Sequence, residues 1–172
     1  ITVTITNDTA FEGNENFLVN LSTPTNAILG TASVSTVIVD NDQPSITTVE
    51  PGAPGVAGDN VVEGNDLVYT VSLSATTTVA STYAYNLGGG TATAGADYNS
   101  TATFSNGVTL VGGSLIVPAG VSTFTVTVAT INDSVVDSAS PESLPLVIGG
   151  VTGNGGIIDD DQPSITTVEP GA

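Results

Sequence analysis

Carboxylates are the side chains of this sequence that can do chemistry. The chain holds 17 Asp and Glu residues and no Lys, Arg or His, so its formal net charge is −17. No carboxylate can therefore pair with a side-chain cation of the same chain. Carboxylate oxygens are hard ligands, and calcium takes about six to eight such oxygens in a flexible arrangement. The composition predicts that metal cations, calcium first among them, are the natural counterions.

Most of these acids lie in short, turn-rich segments beside strand-like runs, where loop residues are free to converge on a ligand. The larger group of candidate calcium ligands comprises Glu63, Asp97, Asp133, Asp137, Glu142, Asp159, Asp160 and Asp161. A second group, nearer the beginning of the sequence, comprises Asp8, Glu12, Glu15, Asp40 and Asp42.

An internal repeat explains why the acids fall into two groups. The segment from Gln43 to Ala53 recurs without change from Gln162 to Ala172. Such exact recurrence is typical of an array of near-identical modules. We expect three parts, namely the back part of one repeat at 1–42, a complete repeat at 43–161 and the start of the next repeat at 162–172. The sequence also begins without Met inside a strand-like run at 1–6, so we expect it to be a window of a longer protein.

The elements that must position the acids read as strands, because apolar and β-branched residues alternate with period two. The strands predicted are 17–21, 32–39, 67–73, 82–87, 114–117, 124–128 and 144–148. The turns predicted are 88–90, 106–107, 112–113 and 153–156, all rich in Gly or Asn. This spacing predicts an all-β, seven-stranded antiparallel sandwich of the immunoglobulin type, repeated in tandem.

Such a sandwich would crowd the acidic loops at one pole, because loops from alternate strand ends meet there. Two like charges 4 Å apart repel by roughly 4 kcal/mol at an effective dielectric constant near 20. That is large beside a domain stability of about 5–15 kcal/mol. A divalent cation would relieve the repulsion at neutral pH. The alternative is that the acids are solvated loop tips that keep the protein soluble.

A family resemblance rests on these acidic segments. Glu63-Gly64, the loop from Gly90 to Tyr98, the acidic loop from Asn132 to Glu142 and the segment Ile158 to Asp161 together resemble the Calx-beta module. The loop and strand from Asn7 to Leu21 resemble it still more closely. The resemblance implies a seven-stranded sandwich with a calcium cluster at one pole, and it implies that both groups of acids are ligands.

This sequence departs from the family pattern in ways that bear on the number of ions. Asn132 stands where an acid often occurs, Asp137 is shorter than the usual Glu, and Pro141 lies in an insertion. Residues 1–42 lack counterparts of Glu63 and Asp97, so we expect their site to be incomplete.

Repetition, acidity and the absence of Cys also resemble the extender region of large bacterial surface adhesins of the RTX type. The resemblance implies a secreted or cell-surface protein in which calcium-binding repeats stiffen an extended stalk or fibre. The partners would be neighbouring repeats or like subunits, and a surface or host ligand would be bound through other domains. The charges are expected to keep the chain unfolded in low-calcium cytosol and to trigger folding outside.

Other function classes have weaker support. The sequence predicts no enzyme, because it has no His, Cys or Lys to act as base or nucleophile and no Trp to hold a sugar. A net charge of −17 argues against nucleic-acid binding, and no apolar stretch is long enough to enter a membrane. Two alternatives stay open, a calcium-dependent carbohydrate- or protein-binding module and a filament subunit whose incomplete sheet is completed by a neighbouring molecule.

Overall fold

The computed structural model describes residues 1–52, 59–137 and 140–163. Every regular element within those ranges is a β-strand. The strands are β1 (Glu15–Asn20), β2 (Ser33–Ile38), β3 (Ile46–Pro51), β4 (Asn60–Val62), β5 (Asp66–Leu73), β6 (Ser81–Leu87), β7 (Thr103–Phe104), β8 (Thr109–Val111), β9 (Ser114–Val117), β10 (Thr123–Ala129), β11 (Glu142–Ile148) and β12 (Val151–Ile158). In that part of the chain, no helix is long and apolar enough to cross a membrane.

The strands form two large sheets and one small one. The first sheet has the order β3-β5-β10-β7, the second has the order β4-β12-β11-β6-β9-β8, and β1 pairs with β2 alone. All pairs are antiparallel except β4 with β12, which run parallel. The all-β, immunoglobulin-like sandwich predicted from the sequence is confirmed, and the described residues add β3, β4, β7, β8 and β12 to the predicted strands.

Alternation along the strands builds the core between the two large sheets. Leu67, Tyr69 and Val71 of β5 are almost fully buried, whereas the residues between them are partly exposed. The same pattern runs along β10 and β11. The Tyr69 hydroxyl donates a hydrogen bond to the carbonyl of Leu144 and so ties the two sheets together. Burial raises the pKa of the Tyr69 hydroxyl, which keeps it a neutral donor.

One predicted turn is wrong. Residues 153–156 lie inside β12, and the turn before that strand is formed by Gly149 and Gly150. Glycine is needed in β12 because the opposite sheet approaches closely. A Cβ on Gly155 would lie 2.8 Å from Leu67 Cδ2, and one on Gly153 would overlap the carbonyl of Val49. These glycines therefore mark close packing of the sheets, not a chain reversal.

The beginning of the sequence also differs from expectation. Residues 1–6 form no strand and are exposed, although their alternation predicts one. A strand needs a neighbour for its backbone hydrogen bonds, and none of the described strands pairs with this segment. Conversely, Ile46–Pro51 forms β3, although no strand was predicted there. A register shift between Ile46 and Thr48 leaves Thr47 and Thr48 both exposed, so apolar and polar residues do not alternate with period two.

The β1–β2 pair has the register of the β11–β12 pair. Glu15 at the start of β1 faces Ile38, and Glu142 at the start of β11 faces Ile157. The two pairs differ in burial, since Ile148 at the end of β11 is fully buried and Leu21, its counterpart just after β1, is 45% exposed. The boundaries of the repeats stay predictions, and residues 164–172 lie outside the described residues.

Candidate metal centre

Strand direction brings the predicted acidic loops between Glu63 and Asp161 to one pole. Asp66 at the start of β5 faces Ala129 at the end of β10, and Glu142 at the start of β11 faces Ile157 near the end of β12. The segments beyond these strand ends therefore emerge on the same side. They carry Glu63, Asp133, Asp137, Glu142, Asp159, Asp160 and Asp161. Asp97 lies in the loop after β6 and reaches the same pole, because its carbonyl accepts a 2.9 Å hydrogen bond from the Ile131 N–H just beyond the end of β10.

Six of these eight acids form two compact triads. In the first triad, one carboxylate oxygen from each of Glu63, Asp160 and Asp161 lies within 4.8 Å of the other two. The same holds in the second triad. Its members are Asp97, Asp137 and Glu142. The most buried acidic residue of the pole is Glu63, which is only 6% exposed.

Asp159 links the two triads through the backbone. Its Oδ2 accepts a hydrogen bond of 2.6 Å from the backbone N–H of Asp137, and its Oδ1 accepts one of 2.7 Å from that of Asp161. Asp133 has a similar local role, because its Oδ1 accepts a 2.6 Å bond from the Val135 N–H. Both acids were predicted as ligands from the sequence. Their observed contacts are to backbone, and their role as ligands stays a prediction.

Three polar contacts that the sequence reasoning did not assign also shape the pole. Asn132 Nδ2 lies 3.4 Å from Glu63 Oε1 and donates to it. The Thr93 N–H donates a 2.5 Å bond to Asp97 Oδ2, and the Asp159 N–H donates a 3.2 Å bond to Ser140 Oγ. The earlier acidic segment has an equivalent contact, in which Asn14 Oδ1 accepts a hydrogen bond from the N–H of Asp40, the counterpart of Asp159.

Crowding raises the pKa values of several acids at the pole. Burial, and then the charge of Asp97, raises the pKa of Glu142 to about 7. Burial and neighbouring carboxylates also raise the pKa of Glu63, of Asp137 and of Asp161. Each shift has the same cause, namely that a negative charge is partly desolvated beside other negative charges. The pole therefore favours either protons or a cation.

The donor set fits calcium. Oxygens on opposite sides of a calcium ion lie about 4.6–5.2 Å apart, since each bond is about 2.3–2.6 Å long. The oxygens of each triad, all within 4.8 Å of one another, match that span. Asp161 Oδ2 is buried and has no hydrogen-bond partner among the described residues, as expected for an oxygen that a cation would satisfy.

The earlier acidic group is organised by the same backbone contacts but is less compact. Asp40 Oδ2 accepts bonds of 2.6 and 2.7 Å from the N–H groups of Glu12 and Gly13, and its Oδ1 accepts one of 2.9 Å from Asp42. These bonds, that from Asp42 first, lower the pKa of Asp40. Within the described residues, no triad as tight as the two at the pole includes Asp8, Glu12, Glu15, Asp40 or Asp42.

Comparison with known families decides what this arrangement belongs to. The model of the Calx-beta domain matches residues 1–50 and 59–169, which is most of the chain. This chain belongs to the Calx-beta family. Calx-beta domains are calcium-binding domains. The two matched segments correspond to the two acidic groups of this Calx-beta chain.

Three solved structures similar to this Calx-beta chain are distant in sequence. The crystal structure of CBD12 from CALX1.2 is 19% identical, with 62% of this chain and 43% of that chain covered and a TM-score of 0.48. The apo-form Calx CBD1 domain is 22% identical, with 61% and 92% covered and a TM-score of 0.46. The S-layer protein rSbsC(31-844) is 14% identical, with 94% and 22% covered and a TM-score of 0.37.

The matched region spans less than half of CBD12 from CALX1.2 and of the calcium binding domain CBD12 of CALX1.1. No curated protein matches the chain.

Proposed function

We propose that residues 43–161 bind calcium at the acidic pole and that the bound ion holds the pole's loops in place. The observation that carries the proposal is the pair of carboxylate triads, joined by Asp159, in a sequence without any side-chain cation. Asp97, Asp137 and Glu142 would hold one ion, and Glu63, Asp160 and Asp161 would hold a second or share the first. Calcium would supply the positive charge that offsets their repulsion.

We propose further that this repeat is a structural element of an extended extracellular stalk or fibre, on the surface of a bacterium or secreted by it. Extracellular calcium modules bind at roughly 10⁻⁴ to 10⁻³ M, so their sites fill outside the cell and not in the cytosol. At 100 times the dissociation constant, binding adds about 2.7 kcal/mol per site to the stability of the folded state. Neighbouring repeats are the proposed partners, and surface ligands would be bound through other domains.

The test is a thermal melt of the full chain in excess EGTA, across a calcium titration and across a matched magnesium titration. We expect the midpoint to rise and to saturate near millimolar calcium. Magnesium should raise it much less, because its smaller, strictly octahedral shell suits a multi-loop carboxylate site poorly. A midpoint that does not respond to calcium would show that the acids are only a solvated surface.

A second candidate function is favoured by the exposed apolar face of the β1–β2 pair. Leu21 and Val34 are each about half exposed on that face, although the equivalent face of β11–β12 is buried in the core. In this proposal, the front half of a repeat from another molecule covers the face and builds a strand-complemented filament. Sedimentation velocity over a hundredfold range of concentration tests it. The sedimentation coefficient must rise with concentration if the chains assemble into a filament, and a constant coefficient would contradict the proposal.

A further inference from the structure

The acidic loop of the first repeat contacts the second repeat directly. The carbonyl of Phe11 accepts a 3.2 Å hydrogen bond from the Thr78 N–H and a 3.0 Å bond from the Thr78 hydroxyl. The Val79 side chain lies alongside, 3.6 Å from where a Cβ on Gly13 would stand. The loop between β5 and β6 is therefore a docking element for the acidic loop of the repeat before it.

This docking element is held rigidly by its own repeat. Thr77 is only 5% exposed, its carbonyl accepts a 2.9 Å bond from the Gly120 N–H, and its hydroxyl donates to the carbonyl of Val79. Thr78 is thus presented outward from a fixed loop.

The linker between the two repeats is fixed in the same region. Gln43 Nε2 donates a 2.9 Å bond to the carbonyl of Thr82, and the Tyr83 hydroxyl donates a 2.7 Å bond to the buried carbonyl of Pro44. Both linker residues recur in sequence as Gln162 and Pro163. Gln162 and Pro163 could therefore make the same two hydrogen bonds with β6 of a repeat that follows the second one.

The second repeat carries a counterpart of the Phe11 segment, and no β5–β6 loop among the described residues is docked on it. Val136 stands one residue before Asp137, as Phe11 stands one residue before Glu12. The same hydrogen bonds frame both segments, since Asp8 accepts from the Ala10 N–H as Asp133 accepts from the Val135 N–H. Yet Val135 and Val136 are 61% and 49% exposed, two apolar side chains presented by an acidic loop.

We propose that Val135 and Val136 form the docking surface for the following repeat, which seats its β5–β6 loop there. The occupant is a second copy of residues 43–161 in the same chain, with its copy of Thr78 donating to the Val136 carbonyl. Two features select this occupant, the observed joint around Phe11 and the unchanged recurrence of the linker sequence. The inference rests on the proposed tandem array but not on calcium binding.

The experiment extends the chain after Ala172 by a copy of residues 54–161, which completes a following repeat because 162–172 repeats 43–53. Cysteines replace Val136 and the copied Thr78 in a chain that otherwise has none. The reference pair is Phe11→Cys with Thr78→Cys, and the control pair is Val111→Cys with the copied Thr78→Cys. Circular dichroism of each reduced variant checks that it is folded.

We expect the Val136 pair to form its disulfide within about threefold of the rate of the reference pair, since disulfides need Cα atoms about 4.4–6.8 Å apart. The control pair should be at least about tenfold slower for the same geometric reason. A Val136 pair no faster than the control overturns the proposal. Failure of the reference pair also overturns it, because the joint would then not exist in solution.

A second measurement avoids cysteine altogether. Small-angle X-ray scattering of the extended chain should give a broader distance distribution for Val136→Asp than for Val111→Asp, because only the first buries a charge at the joint. Equal distributions overturn the proposal. Both measurements are made in calcium and in EGTA, so a joint that forms without any calcium response separates this inference from the proposed calcium site.

Discussion

The Asp97→Asn substitution separates two effects of a crowded carboxylate, its repulsion of neighbouring acids and its attraction for a cation. It removes one charge from the triad of Asp97, Asp137 and Glu142, whose oxygens lie within 4.8 Å of one another. The asparagine oxygen can still accept the hydrogen bond that Asp97 receives from the Thr93 N–H. We therefore expect the substitution to stabilise the chain in chelator and to weaken its stabilisation by calcium.

The distance sets the size of the effect. Two unit charges 4.8 Å apart repel by about 1 kcal/mol in water and by about 3.5 kcal/mol at an effective dielectric constant of 20. Because these side chains are only half buried, we expect a gain near the lower value, roughly 1 kcal/mol, after screening by solvent. For a chain of this length, that raises the thermal midpoint in chelator by about 2–4 °C.

Calcium should reverse the order of stability. A neutral amide oxygen is a weaker calcium ligand than a carboxylate, and a tenfold loss of affinity corresponds to about 1.4 kcal/mol. The assay compares thermal unfolding of the unsubstituted chain, Asp97→Asn and Asp66→Asn in EGTA and in saturating calcium. Asp66 is the matched control, since it is an exposed carboxylate outside both triads.

Two results would refute the reasoning. If Asp97→Asn lowers the midpoint in EGTA, repulsion within the triad does not govern the metal-free stability. If the calcium response of Asp97→Asn equals that of Asp66→Asn, the triad does not bind the ion.

Two further predictions follow from the pole and the core. In EGTA, the midpoint should fall as pH rises from about 4.5 to 7.5, because the pKa of Glu142 is about 7 in the folded chain against an ordinary value of 4.5. The stability gained from that bound proton is complete below the ordinary pKa and is lost as pH rises through 7; an unchanged slope in Glu142→Gln would contradict this. Gly155→Ala should cost about 1–3 kcal/mol in urea unfolding, since its Cβ would lie 2.8 Å from the Leu67 side chain and the Tyr69 hydroxyl. Gly30→Ala is the control, because nothing lies within 4 Å of its Cβ, and an equal cost for both would show that close sheet packing is not the reason.

The acidic residues were found from the sequence because their signal is local. A chain with no side-chain cation must leave its carboxylates to metal ions or water, and this holds for any fold. Alternation likewise predicted β5, β9, β10 and β11 to within two residues, because burial on one face of a strand requires period two. The sandwich fold and the common pole of the acidic loops follow from those two patterns.

Only the tertiary structure decided how the acids divide and which glycines turn the chain. The Asp159 carboxylate accepts from the backbone N–H groups of Asp137 and Asp161 because of where those loops pass, and the period of a sequence pattern does not encode loop paths. Gly153 and Gly155 were predicted to lie in a turn because glycine is favoured both where the chain reverses and where another segment packs closely against the backbone. Only the position of the opposite sheet shows that close packing is the reason here. Residue types and their spacing thus determined the chemistry available to this protein, whereas distances between segments far apart in sequence were set by how the sheets pack.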